Sequence, residues 1–172
     1  MLRLALLRHA KSSWDDPDLD DFDRPLNERG RKSAPMMGQM LASLNFTPDI
    51  ILCSSAMRTR ETLEGMQPFL KGSANAAAFD KGLYLASDED ILAHIRKSAP
   101  AAATVLVIGH NPGMHILAAR IAASGDPGAI ARLSDKFPTA ALAVYSFPQA
   151  TWNELDPETG HLEAFITPKD RA

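Results

Sequence analysis

Three short apolar runs end in residues that carry chemistry, and no other feature constrains this chain as much. Leu2–Leu7 runs into Arg8-His9, Asp49–Cys53 into Ser54-Ser55, and Thr104–Ile108 into Gly109-His110. Each run has the length and composition of a buried strand. Between them lie segments of helical period: Met37, Met40, Leu41 and Leu44, then Ile91, Leu92 and Ile95, then Met114, Leu117, Ala118 and Ile121. Strands that alternate with helices imply an α/β fold, a three-layer α/β/α sandwich with a mostly parallel central sheet. Ala140–Phe147 and Leu162–Ile166 read as late strands, the ones open to antiparallel pairing.

The punctuation predicts the element boundaries. Asn27 caps a helical turn at Glu28-Arg29-Gly30, and Pro35 is expected to interrupt it and open a fresh helix. Ser54 and Ser55 are placed to cap a helix over about 56–70. Ser87 and Asp90 have capping-box spacing, and Asn111-Pro112 pairs a cap with a proline at the first helical position. Residues 72–78 are small and polar, as in a surface linker. Six aspartates, at 15, 16, 18, 20, 21 and 23, crowd around Pro17 and mark an acidic loop.

At 172 residues, with 45% apolar and 23% charged residues, the expectation is a single domain over 1–172 with its own core. The net charge of −3 argues against a nucleic-acid partner, whose binding rests on excess basic charge. No apolar run approaches the ~20 residues that span a bilayer. A single cysteine excludes an intrachain disulfide. The expected compartment is cytoplasmic.

In open α/β sheets, ligands bind outside the carboxyl ends of the strands. If the three runs lie side by side and parallel, Arg8, His9, Arg58 and His110 converge on one crevice. Arg58 falls in the first turn after the second strand, where a cation faces the positive end of the helix dipole. A bound anion would remove that conflict. The helix start at Asn111-Pro112 aims further N–H groups at the region, and Gly109 and Gly113 would permit close backbone approach. A lone Arg-His pair at a strand end is more often surface decoration, but two histidines and an ill-placed arginine at three strand ends point to an anion site. His94, His115 and His161 lack such context and read as surface residues.

These residues also carry a resemblance. Leu7-Arg8-His9-Ala10 resembles the Arg-His-Gly signature of the histidine phosphatase (phosphoglycerate mutase-like) superfamily. Residues 54–62, Ser-Ser-Ala-Met-Arg-Thr-Arg-Glu-Thr, are similar to its second-arginine segment, and Gly109-His110-Asn111-Pro112 to its second-histidine segment. Order and spacing match over nearly the whole chain. Arg24-Pro25-Leu26-Asn27-Glu28-Arg29-Gly30 and the short length are most similar to the SixA-type phosphohistidine phosphatase branch. Three departures stand out. Ala10 replaces the usual glycine. Residues 11–16 lack the polar, Asn-containing loop of the mutases. The family's glutamate general acid has no match beyond the candidates Asp88 and Glu89.

The resemblance implies a phosphoglycerate mutase-like fold and a metal-independent phosphohydrolase with no cofactor. His9 would attack phosphorus to give a covalent phosphohistidine. Arg8 and Arg58 would hold the equatorial oxygens, with His110 protonated beside the anion. Arg24 would either reach the substrate from its loop or pair with a neighbouring aspartate. The partner would be a phosphorylated substrate, with phosphohistidine on a protein as the leading expectation. A small phosphate ester, or a module that binds phosphate without turnover, are the alternatives. A cysteine phosphatase fits poorly, because only four residues separate Cys53 from Arg58 where that chemistry needs five.

Overall fold

The computed structural model describes residues 1–72 and 77–171. Five of the strands are β1 (Leu2–Arg8), β2 (Ile50–Ser54), β4 (Thr104–Gly109), β6 (Leu142–Phe147) and β7 (His161–Ile166), joined by the short β3 (Ala77–Asp80) and β5 (Ser124–Gly125). The helices are α1 (Glu28–Ser43), α2 (Met57–Met66), α3 (Asp88–Arg96), α4 (Gly113–Arg120) and α5 (Pro127–Asp135). The strands form one sheet in the order β3-β2-β4-β1-β6-β7-β5. The β3-β2, β2-β4, β4-β1 and β7-β5 pairs are parallel, and β6 is antiparallel to both β1 and β7. The mostly parallel sheet with late antiparallel strands is therefore as expected.

Side-chain alternation along the strands builds the three layers. Leu4 and Leu6 of β1 pack with Val105 and Val107 against α3, α4 and Leu133 of α5. Ala5 and Leu7 pack with Leu106 and Ile108 against Met37 and Leu41 of α1 and Leu63 and Met66 of α2. Both faces of the inner strands are dry, which is why these runs are continuously apolar. Among the described residues, no helix is long and apolar enough to cross a membrane.

Several boundaries differ from the sequence reading. Pro35 does not open a new helix but lies inside α1, which runs unbroken from its Asn27 cap. Ala34 and Met37, on either side of it, are fully buried, and Gly65 of α2 closes on Ala34 and Pro35. Packing against α2 thus offsets the hydrogen bond that proline deletes. α2 ends at Met66 and continues only as a 3-10 turn over Gln67–Phe69. Its cap position is Ala56, without a side-chain bond. α4 starts at Gly113, so Pro112 is the cap residue, although Asn111 Oδ1 still accepts from the His115 N–H at 3.2 Å. The linker reading over 72–78 fails at 77–78, which belong to β3, while 73–76 lie outside the described residues. The Ser87 cap of α3 is as expected, its Oγ accepting from Asp90 N.

Candidate active site

Strand register brings the two histidines together. Arg8 pairs with Gly109 across β1 and β4, and the His9 N–H donates to the Gly109 carbonyl at 3.1 Å. Each chain then leaves the sheet one residue later, so the His9 and His110 rings sit with centroids 5.3 Å apart. α2 begins just beyond β2 and delivers Arg58 to the same point. Thr62, one turn on, accepts from the Ala10 N–H and donates to the Arg58 carbonyl. Arg8, His9, Arg58 and His110 line one cleft of about 180 Å³, joined by Arg24, Lys11, Trp14 and Leu85. All four expected residues and Arg24 therefore meet.

His9 is built as a neutral base. Nδ1 lies 2.7 Å from the Ala10 carbonyl, which can only accept, so Nδ1 carries the proton and Nε2 keeps its lone pair. Arg58 Nε is 3.4 Å from that Nε2, a long contact along the edge where an electrophile would sit. Burial is the main cause that lowers the His9 pKa to about 3, helped by the positive fields of His110, Arg58 and Arg8 and opposed by the Ala10 bond. His110 is also lowered to about 3, by burial and then by Arg58, with Asp21 opposing. Its Nε2 lies 2.8 Å from Ser54 Oγ. The expected imidazolium at His110 is thus disfavoured here, because burial and two arginines act on it at once. Ser54, read as a helix cap, instead supports this ring.

Two buried polar atoms at the cleft have no hydrogen-bond partner: Arg8 Nε and His110 Nδ1. An unsatisfied buried group costs about 1–3 kcal/mol. An anion in the cleft would offset that cost at Arg8, whose remaining anchor is the Phe137 carbonyl at 3.2 Å.

The acidic loop supplies a residue that sequence reasoning missed. Asp21 Oδ2 accepts from Arg58 Nη2 at 3.0 Å, its Oδ1 from Arg24 Nε at 3.1 Å, and its carbonyl from Arg58 Nη1 at 2.7 Å. The Tyr84 hydroxyl also donates to Oδ2. Burial raises the Asp21 pKa, but the bonds from Tyr84, Arg58 and Arg24 outweigh it and hold the carboxyl at about 2. Asp21 is thus the anion that relieves Arg58 at its helix start. Arg24 does both things expected of it, lining the cleft and pairing with Asp21, and its guanidinium lies 3.5 Å over the Trp14 ring. The Asp21-x-x-Arg24 spacing was a signal available in the sequence, but nothing there linked Tyr84 to it.

Other expectations fall elsewhere. Asp88 and Glu89 do not line the cleft, and both are held by Arg120 Nη1. Their place in the exposed first turn of α3 turns them away from general-acid duty. Gly113 serves packing rather than a ligand, since a Cβ there would stand 1.9 Å from the Ala86 carbonyl. Gly109 likewise closes on the Met114 side chain. The Ala10 methyl sits in the core with Leu7 and Leu26, so the departure from glycine leaves the cleft untouched. Cys53 is fully buried and its thiol is pushed up to about 12, mainly by burial. Of the remaining histidines, His161 is exposed but His94 and His115 are half-buried, His94 against Asp80 and His115 on the Leu133 carbonyl. Among the described residues there is no cluster of three or more metal-ligating side chains.

Comparison with known proteins gives a consistent answer. A sequence model of the histidine phosphatase superfamily (branch 1) matches residues 4–78, which hold Arg8, His9, Arg24 and Arg58. An uncharacterized chloroplastic protein of Arabidopsis thaliana is 43% identical over 119 residues, 64% of this chain, and the match spans only 55% of that longer protein. An uncharacterized Mycobacterium tuberculosis protein is 34% identical over 95% of this chain and 100% of its own length. Among solved structures, one described as "the putative phosphohistidine phosphatase SixA from Agrobacterium tumefaciens" is 32% identical. It has a TM-score of 0.78 and covers 97% of this chain and 98% of that one. The fold is thus the phosphoglycerate mutase-like α/β sandwich, and the chain belongs to the histidine phosphatase superfamily.

Proposed function

We propose that this protein is a phosphohydrolase that works through a covalent phosphohistidine on His9 and acts on phosphohistidine carried by a protein. One observation carries the chemistry: the Ala10 carbonyl fixes the His9 proton on Nδ1, which leaves a neutral Nε2 among Arg8, Arg58 and His110. Nε2 forms a bond to phosphorus as the bond to the leaving group breaks and that group takes the electron pair. Water then attacks phosphorus, the P–N bond breaks, and His9 and inorganic phosphate are released. Such transfer depends mainly on positioning and on charge stabilisation of the equatorial oxygens. Arg8 and the Nε edge of Arg58 supply charged donors for those oxygens. A phosphoryl dianion would raise the proton affinity of His110, which burial and Arg58 lower, and His110 then becomes a further donor.

Two features favour a planar nitrogen leaving group. Among the described residues no carboxylic acid lines the cleft, so an alkoxide would depart without a proton donor. A phosphorylated imidazole can take its proton from solvent before the P–N bond breaks and leaves neutral. Two large apolar side chains also stand exposed at the cleft, the Trp14 ring at 74% and Leu85 at 52% with a positive φ of 52°. A left-handed leucine costs about 1–2 kcal/mol, a strain that places an apolar side chain at the entrance. The single buried cysteine suits a reducing, cytoplasmic setting.

The test is turnover of a phosphohistidine-bearing protein and of an aryl phosphate, with rapid acid and alkaline quench of labelled substrate. An alkali-stable, acid-labile phosphoenzyme that requires His9 is expected. Absence of turnover on both substrates rejects the reading in favour of a phosphate-binding module.

A further inference from the structure

The cleft is strongly cationic, lined by Arg8, Lys11, Arg24 and Arg58. Against them stands one carboxylate that grips two of the arginines. Asp21 takes Arg58 through Oδ2 and the main-chain carbonyl, and it takes both Nε and Nη2 of Arg24 through Oδ1. The rest of Arg24 is held by Ser12 Oγ and the Ser13 carbonyl, each at 2.9 Å. Asp21 is also fixed in place. The next residue, Phe22, packs edge-on against Tyr84 at 4.9 Å with the Lys81 ammonium over its ring, while the Tyr84 hydroxyl binds Oδ2. This carboxylate stands behind the arginines that line the cleft, tied to them and to Tyr84.

We propose that Asp21 is the positioning residue and built-in counter-charge of the site: it sets the plane of the Arg58 guanidinium against His9 and weakens the hold of the cleft on inorganic phosphate. The first role follows from geometry. With Nη1 and Nη2 anchored on Asp21, the Nε edge of Arg58 is left facing His9 Nε2, where phosphorus must sit during transfer. The second follows from Coulomb's law. A negative charge in contact with two of the arginines opposes every bound phosphate anion, and in a partly buried cleft that repulsion is screened less than in water. Without Asp21, product phosphate would bind tighter and leave later, while the loosened Arg58 would stabilise the transition state less. Ground-state affinity and turnover are therefore predicted to move in opposite senses, which simple structural damage does not produce.

The inference rests on the phosphatase reading, but phosphate binding tests it without turnover. The Kd of orthophosphate is measured by calorimetry for the unsubstituted protein, Asp21→Asn, Asp21→Glu and Asp20→Asn, alongside kcat on an aryl phosphate. Asp21→Asn is expected to bind phosphate about three- to tenfold tighter with kcat about tenfold lower. Asp21→Glu keeps the charge and should return the Kd to its original value. Asp20→Asn, which makes the same change in net charge on the exposed loop, should change neither. The Asp21 side chain is 43% exposed, so its loss should be tolerated; if Asp21→Asn does not fold, Asp21→Ser is read the same way. An unchanged or weaker phosphate Kd in Asp21→Asn overturns the proposal, as does an equal shift in Asp20→Asn. A tighter Kd in a protein that turns over no phosphorylated substrate would uphold the counter-charge and reject the phosphatase reading. No phosphate binding by the unsubstituted protein would reject both.

Discussion

Arg8 lies opposite Gly109 in the parallel register of β1 and β4, and this single pairing puts the imidazoles of His9 and His110 5.3 Å apart. A slip of one residue would turn every side chain of β1 to the other face and separate the rings. The placement of the two rings is thus a property of the sheet. His9, the proposed nucleophile, should accordingly be indispensable. His9→Ala is expected to lower kcat by at least about 10³-fold and to abolish the trapped phosphoenzyme. A normal trapped intermediate in that variant would sink the assignment.

The donors around the phosphoryl group should each matter on their own. Arg58→Ala, Arg8→Ala and His110→Ala are expected to cost about 10²–10³ in kcat, as for a preorganised oxyanion donor. Arg58→Lys should recover little, because an ammonium cannot hold Asp21 and a phosphoryl oxygen with one planar fork. Steady-state kinetics on an aryl phosphate, with circular dichroism to show that the variants fold, reads these values. A loss below tenfold for Arg58→Ala would remove it from the transition state.

The central strands and the four converging residues were legible because burial on both faces writes strands β1, β2 and β4 as unbroken apolar runs, and because the chemistry begins where each run stops. The parts that were not legible are tertiary. β3 and β5 are too short to carry a pattern, and Pro35 reads as a breaker until the packing of α2 against α1 is known. Gly113 looks like a phosphate cradle but fits under the Ala86 carbonyl. Asp21 was hidden among five other aspartates, and its partner Tyr84 lies far away in sequence. The pairing of Asp88 and Glu89 with Arg120, more than thirty residues on, has no mark in the sequence.

Chemistry built from arginine and histidine needs neither a metal nor a thiol. Activity is expected to be unchanged after exhaustive chelation and in Cys53→Ser. The Cys53 thiol, buried and pushed up to about 12, would be protonated throughout the working range. Activity lost to a chelator and restored by a divalent ion would require a different mechanism.

The two neutral imidazoles should leave a signature in acid. Burial first, then neighbouring positive charge, holds the pKa of His9 and of His110 at about 3, below the usual 6.5. Between those values the unfolded chain binds more protons than the folded one, so stability falls as pH drops from about 6.5 toward 3. The slope is at most about 1.4 kcal/mol per pH unit for each imidazole. Urea midpoints measured at pH 7.5, 5.5 and 4.5 should decline, and His110→Gln should flatten part of the decline. The acid limb of kcat/KM for the free enzyme should likewise lie well below pH 6.5. A limb centred at 6.5 would show that His9 is not held neutral.

Leaving-group chemistry separates the proposed substrate class from its main alternative. An alkyl ester departs as an alkoxide, and a positioned acid that protonates it is worth about 10²–10⁴ in rate. Among the described residues no carboxyl lines the cleft, and Asp21 behind it is held at about 2 and turned onto Arg58 and Arg24. Asp88 and Glu89 are bound to Arg120 outside it. Phosphohistidine and nitrophenyl phosphate, whose leaving groups need no enzymic proton, should therefore be cleaved at least about a hundredfold faster than a simple alkyl phosphate. Asp88→Asn with Glu89→Gln should change phosphohistidine turnover less than about twofold, since surface pairs of this kind contribute little. Rates on all three substrates, in the parent and the double variant, decide the matter. If alkyl phosphates are hydrolysed as fast as phosphohistidine and the double variant is inactive, then an acid operates from α3 and the protein is a phosphatase of small esters.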